Sequence, residues 1–290
     1  MTPTSTTTTT TTTTARRPFA ALRGRLWWLW AGVLAVVLLW AVTGDLLAPY
    51  DPMAQSPQDR LLPPGARTDA GLHLLGTDQL GRDLFSQIIG GARLTVVIAL
   101  SATLIALAIG TVIGLCAGFY GGAVDRITMR LSEAQTAMPM FLFAILLVAA
   151  VGPSVTNLIL LLPALGWPTV ARVVRAETQR LRASPFVLGA VALGASDRQL
   201  LVTHVLRNLA PQIGVLFVIE LGQLVLAEAG LSFLGAGVQE PDVTWGLLIA
   251  SGRDYLAVAW WLTILPGLFL AATVLASNML LRERERRTVA

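Results

Sequence analysis

Two acidic residues interrupt an apolar stretch in the last third of the chain, and they are the first candidates for chemistry. Glu220 and Glu228 lie within the run from about Pro211 to Leu231. Eight residues separate them, so a helix would place both on broadly the same side. An acid at membrane depth is costly unless it faces protein or water. Two roles follow: both carboxylates line a polar pathway, or Glu228 is a structural acid that pairs with Arg253.

Other reactive side chains are sparse. In the topology that the arginines predict, His73 and His204 lie on opposite sides of the membrane, so they cannot share a metal ion and instead serve as hydrogen-bonding or capping residues. The single cysteine, Cys116, excludes an intrachain disulfide. All 21 basic residues are arginine. A phosphate-binding P-loop requires a lysine, so any ATP used by this protein must bind to another chain.

The composition predicts a membrane protein. Of the 290 residues, 54% are hydrophobic and only 13% are charged, which lies outside the range of soluble globular proteins. The formal net charge is +4, but the arginines do not cluster with aromatic residues on one face. The lipid bilayer is therefore the expected partner, and nucleic acid is not.

The apolar runs predict six transmembrane helices. Residues 1–25 form a threonine-rich tail, which we expect to be disordered, and residues 26–44 form the first transmembrane helix. A cleaved signal peptide has a similar charge order, but this run is longer than a signal core and has no A-x-A-like site after it. Residues 45–93 form an external loop, residues 94–281 a core of five helices, and residues 282–290 a short tail. Trp245, Trp260 and Trp261 near a span end are expected in the aromatic belt.

The arginines orient this layout. Sixteen of them fall on the side of both termini and only five on the other side, as the positive-inside rule requires for a cytoplasmic side. Both termini and the loop at residues 182–211 are therefore predicted to be cytoplasmic.

The loop at residues 182–211 reads as two short helices. Ser184 and Pro185 open the first helix, and Gly194 closes it where a left-handed residue is favoured. Ser196 and Gln199 have the spacing of a capping box that starts the second helix. The first helix is apolar on every side and must be covered, so a docking element is favoured over a plain linker.

At this loop the chain resembles the permease subunits of ATP-binding-cassette (ABC) importers, specifically the dipeptide, oligopeptide and nickel branch. That family has an E-A-A, a following glycine and a later histidine and L-P-N; the matching residues are Ala190, Gly194, Ala195, Ser196, His204, Leu206 and Asn208. Four further strings resemble this branch: LGTDQLGRDLFSQIIGGAR (75–93), AGFYGG (117–122) followed by Asp125, ARVVRAE (171–177) and EAGLSFLGAGVQEPDVTWG (228–246).

The loop also departs from the family pattern. Leu188 stands in place of the glutamate, Gly189 in place of the next alanine, Val191 in place of a basic residue, and Arg207 in place of the proline. Contact with an ATPase should therefore rest on backbone shape and apolar fit more than on the charge of the loop.

The resemblance implies an all-α fold of the type I ABC importer permease kind in the bacterial inner membrane. It implies a heterodimer with a second, similar permease, two cytoplasmic ATPase subunits that hold ATP and Mg²⁺, and an extracytoplasmic substrate-binding protein. This chain would then be no enzyme and would carry no cofactor. The implied ATPase-coupling residues are Phe186, Leu188, Gly189, Ala190, Gly194, Ala195, Ser196, His204 and Asn208.

Three alternatives stay open. Peptides are the favoured cargo, whereas nickel or another small solute would use the same architecture. An ion-coupled secondary carrier would need repeats and ionisable groups in several spans, and the apolar runs supply acids in only one. A membrane scaffold would explain the docking helices but not the organised external segments.

Overall fold

The computed structural model describes the backbone of residues 19–289 and the side chains of residues 28–44 and 46–280. Most of the predicted disordered tail lies outside these residues, as do the side chains of the predicted C-terminal tail. The helices within the described backbone are α1 (Phe19–Leu47), α2 (Leu84–Tyr120), α3 (Gly122–Thr136), α4 (Met140–Val151), α5 (Val155–Arg182), α6 (Pro185–Ala192), α7 (Asp197–Phe233), α8 (Trp245–Gly252) and α9 (Trp261–Val289). α1 starts at Phe19, before the predicted boundary.

The segment between α1 and α2 contains a small antiparallel hairpin, β1 (Ala66–Thr68) and β2 (Gly71–His73), in which Arg67 pairs with Leu72. Two 3₁₀ turns, Pro57–Asp59 and Arg253–Tyr255, complete the short elements. The hairpin was not expected from an all-α reading. Helix α2 starts at Leu84, where the side chain of Asp83 accepts a hydrogen bond from the backbone N–H of Ser86 and caps the helix.

Four described helices are long and apolar enough to cross a membrane: α2, α5, α7 and the part of α9 at Trp261–Leu280. A fifth candidate is the pair α3 and α4, which is bent by 94° at a short break. The apolar part of α1 with described side chains, Trp28–Gly44, is shorter. The protein is thus a helical membrane protein with four or five candidate spans in its described part.

Helices α2 and α5 run side by side at very close range. Gly110, Gly114 and Gly118 recur every four residues on α2, and a Cβ on any of them would come within 2.6 Å of an atom of α5. Small residues at this spacing allow two membrane helices to approach backbone to backbone. This contact makes α2 and α5 a closely packed pair at the centre of the fold.

The tryptophans near the start of α9 do not all follow the belt prediction. Trp245 is fully buried, and its indole Nε1–H donates to the Ile88 carbonyl oxygen at 2.8 Å. Trp261 is buried as well, in the same apolar cluster, whereas Trp260 is half exposed. The belt interpretation is therefore wrong for Trp245 and Trp261, because the chain folds its segment before α9 back against α2.

Helix α7 is continuous through Pro211, so no new span begins there as the apolar run from about Pro211 to Leu231 had predicted. Residues Leu200–Leu206 form a π-helical stretch within it. Proline removes one backbone donor from the helix, which membrane helices tolerate when neighbouring groups compensate. The second helix predicted for the loop at residues 182–211 and the span predicted from about Pro211 to Leu231 are consequently one helix.

Candidate functional site

Helix α6, which lies in the loop between α5 and α7, ends in a complete C-terminal capping motif. Gly194 has a φ of +83° and follows the last turn of α6. Its backbone N–H donates to the Val191 carbonyl at 2.9 Å, and the N–H of Ala195 donates to the Ala190 carbonyl at 3.0 Å. These two bonds define a Schellman motif, so the predicted stop at Gly194 is confirmed.

The predicted start signals behave differently from one another. Ser196 and Gln199 form both bonds of a capping box at the start of α7, as predicted. Ser184 precedes Pro185 at the start of α6, but its hydroxyl caps no backbone N–H of α6 and donates to the Leu181 carbonyl instead. The turn between α6 and α7 is therefore held by backbone and side-chain bonds within the loop.

One side of α6 is anchored to the end of α2. Val187 is buried against Phe119 and Leu200. The Arg182 guanidinium donates to the Phe119 carbonyl and lies 5.2 Å from the centre of its ring. These contacts link the loop mechanically to a membrane-spanning helix.

The other side of α6 is uncovered and apolar. Leu188 is 56% exposed and Leu193 is 91% exposed, and Phe186 and Val191 are about half exposed. Of the remaining predicted coupling residues, Gly189, Gly194, Ser196 and Asn208 are exposed, while Ala190, Ala195 and His204 are half-buried. A short, rigid helix with an exposed apolar side and a firm attachment to a span is suited to docking another protein.

Glu228 does not pair with Arg253. Its Oε1 accepts hydrogen bonds from the hydroxyls of Ser232 at 2.9 Å and Thr244 at 3.0 Å. Thr244 also caps α8 through the N–H of Leu247. The carboxylate therefore fastens the start of α8 to α7, which is a structural role.

Glu220 is fully buried, and neither of its carboxylate oxygens has a hydrogen-bond partner among the described residues. It faces Gly166 of α5, where an added Cβ would lie 2.7 Å from its Oε2. Both glutamates are thus enclosed within the chain in this conformation. Neither lines an open surface, because α5 and α8 cover the side of α7 on which they lie.

The sequence did not predict a buried polar cluster at the start of α2, although most of its residues lie in the string 75–93 that resembles the permease branch. Asp83 accepts from the hydroxyl of Ser86 at 2.7 Å, and its other oxygen lies 2.9 Å from Nδ1 of His73. His73 makes the kind of hydrogen bond expected of it, but it is buried within the fold. The hairpin turns His73 inward and places it at the cap of α2.

The same cluster contains a buried ion pair. Nε of Arg82 donates to Asp78 at 2.6 Å, and its NH2 group donates to Glu240 at 3.0 Å. Burial alone would lower the pKa of Arg82, but hydrogen bonds and charge from Asp78 and Glu240 raise it above its ordinary value. The guanidinium remains charged and joins the segment before α2 to the segment before α8.

The long apolar helices define a membrane protein, and its anchored loop helix has an uncovered apolar side. Comparison with known proteins is consistent with this class. Residues 110–288 match the family described as binding-protein-dependent transport system inner membrane component.

Several curated relatives cover most of the chain. The di/tripeptide transport system permease protein DppC of Pseudomonas aeruginosa is 37% identical over 249 residues, 85% of this chain and 82% of the relative. The nickel transport system permease protein NikC of Escherichia coli K12 is 35% identical over 247 residues, 85% and 87% of the two chains. The glutathione transport system permease protein GsiD of Pectobacterium atrosepticum is 35% identical over 248 residues, 86% and 80%.

The chain therefore belongs to the family of inner-membrane components of binding-protein-dependent transport systems. It is the permease subunit of an ABC importer, and the family resemblance stated from its sequence strings is confirmed.

Proposed function

We propose that the chain forms half of the translocation pathway of an importer for di- or oligopeptides and pairs with a second, similar permease. The observation that carries the coupling role is α6, whose apolar side is exposed while Val187 ties it to α2. Peptide cargo is supported by the name of the Pseudomonas relative.

In this proposal the chain crosses the membrane six times with both termini in the cytoplasm. The predicted boundaries are a tail at 1–25, a first span at 26–44, an external loop at 45–93, a five-helix core at 94–281 and a tail at 282–290. Two cytoplasmic ATPases hold ATP and Mg²⁺, and one of them receives α6. An external binding protein delivers the cargo.

The arrangement of the loop supports coupling by rigid-body movement. Closure of the ATPases would move α6, and Arg182 with Val187 would carry that movement to the end of α2. Since α2 is packed tightly on α5 through its glycines, both helices would move together. No side chain needs to react chemically in this mechanism.

The test is co-purification of the tagged permease with its ATPases from native membranes, followed by uptake of labelled dipeptide into proteoliposomes. We expect uptake that requires ATP and the ATPase subunits. Uptake driven by an ion gradient without ATPase would support a secondary carrier and overturn the proposal. ATP-driven uptake of nickel in place of peptide would overturn the cargo assignment only.

A further inference from the structure

Helix α3 carries exposed charged residues, and its neighbours reveal the depth at which they lie. Arg175 of α5 donates two hydrogen bonds to Asp125, one of them at 2.6 Å. At the other end of α3, Gln135 donates to the Ala164 carbonyl and accepts from Nε1 of Trp167 at 2.9 Å. These contacts align α3 antiparallel to α5.

The two helices are in register over this length. At about 1.5 Å per residue, Asp125 to Gln135 spans about 15 Å and Arg175 to Ala164 about 16 Å. Glu133 therefore lies about 3 Å along the axis from Gln135, close to the level of Trp167. The first charged residue of α5 is Arg172, which lies about 7.5 Å beyond that level.

A second helix gives the same depth. Gly110 of α2 faces the Trp167 carbonyl and Val170. It lies within the uncharged stretch 94–120, about 15 Å from the end of that stretch at Tyr120. Glu133 is thus level with the apolar, membrane-crossing parts of both α2 and α5.

Glu133 is nevertheless 64% exposed, and Arg130 one turn away is 82% exposed. Their charged atoms are 3.8 Å apart, which is a loose, solvent-accessible pair that leaves both groups available. A carboxylate in contact with lipid at this depth is costly, and its side chain is too short to reach the membrane surface. The surface of α3 that bears these residues must therefore face water or another protein chain.

We propose that Arg130 and Glu133 line the aqueous translocation pathway and contact a small zwitterionic solute, the ammonium group against Glu133 and the carboxylate against Arg130. This inference rests on the proposed importer function and assigns the cargo contact to α3. Glu220 and Glu228, the acids singled out from the sequence, are by comparison enclosed within the chain in this structure.

The test uses single cysteines in a Cys116→Ser background, in the assembled complex in lipid nanodiscs, with a hydrophilic maleimide as probe. We expect Glu133→Cys to react in at least one nucleotide state, as Asp69→Cys does in the exposed hairpin turn. Leu160→Cys, exposed on the apolar part of α5, should stay unreacted. Glu133→Cys unreactive in every nucleotide state, with Asp69→Cys reactive, would overturn the proposal.

Uptake separates a cargo contact from a water-exposed but passive position. Glu133→Gln should lower dipeptide uptake about tenfold while ATP hydrolysis continues, and Glu133→Asp should restore most of it. Equal uptake by both variants would overturn the cargo contact. Absence of peptide uptake by the parent complex would refute the proposed function instead, and the labelling result would still decide whether α3 faces water.

Discussion

The two ends of α2 differ in which groups they leave uncovered. At its N-terminal end, charged and polar side chains are buried and bonded to one another, with His73 on Asp83 and Arg82 on Asp78. At its C-terminal end, Phe119 anchors α6, whose apolar residues Leu188 and Leu193 remain exposed. One end hides polar groups and the other exposes apolar groups.

This difference separates a region that stabilises the chain itself from a region that needs a partner. A buried polar cluster is stable only when its members satisfy one another, so the α2 start completes itself within the chain. An exposed apolar helix is favourable only when something covers it, so the α6 loop depends on a partner. Three substitutions test this division, taken from the largest expected loss of stability to the smallest.

Asp78→Ala should cause the largest loss of stability. It leaves the buried guanidinium of Arg82 without its main partner, which costs about 3–5 kcal/mol in the free energy of unfolding. The measurement is the fraction of monodisperse protein left after heating, by size-exclusion chromatography. Glu240→Gln is the control, because Glu240 is largely exposed and its loss should cost less than about 1 kcal/mol. Equal losses for both variants would contradict the cluster's structural role.

Gly194→Val should have an intermediate effect on stability and a large effect on transport. A β-branched residue is strained at a φ of +83°, at about 1–2 kcal/mol, so the turn after α6 would be distorted. We expect the assembled complex to hydrolyse ATP with little uptake. Gly214→Ala on α7 is the control, because an added Cβ there also meets open space and the residue lies outside the α6 loop. Normal uptake by assembled Gly194→Val would refute mechanical coupling through this turn.

Leu188→Asp should leave the thermal stability of the permease itself unchanged, because the side chain is exposed. It should weaken ATPase binding at least about tenfold, since a charge would be buried in an apolar contact. Retention of the ATPase during affinity purification is the measurement. Leu188→Met keeps an apolar side chain and should bind normally. Unchanged retention of the ATPase by Leu188→Asp would show that this side of α6 is not the docking surface.

Local signals in the sequence were accurate where a few neighbouring residues suffice. The capping box of Ser196 and Gln199 and the stop at Gly194 both form as predicted, since their bonds join residues within five positions. The expected start of a new span at Pro211 was wrong, because α7 runs continuously through that proline. The expected side-chain cap at Ser184 also failed, since its hydroxyl bonds to the preceding turn.

The site residues were harder to predict because their partners are distant in sequence. Glu228 bonds to Thr244 on the following segment, and Trp245 bonds to Ile88, 157 positions away. The depth of Glu133 follows only from the contacts of α3 with α5. On charge alone, α3 is predicted to lie outside the membrane.

The sequence by itself determined the class of protein, the apolar runs, the Ser196 capping box and Gly194 stop of the α6 loop, and the family, because each depends on composition or short-range spacing. Only the tertiary structure decided which polar groups are enclosed and which are exposed. It closed α5 and α8 over Glu220 and Glu228, buried Arg82 with Asp78, and left Glu133 open on α3. The physical reason is that burial depends on which helices pack together, and that choice is made by contacts between residues far apart in the chain.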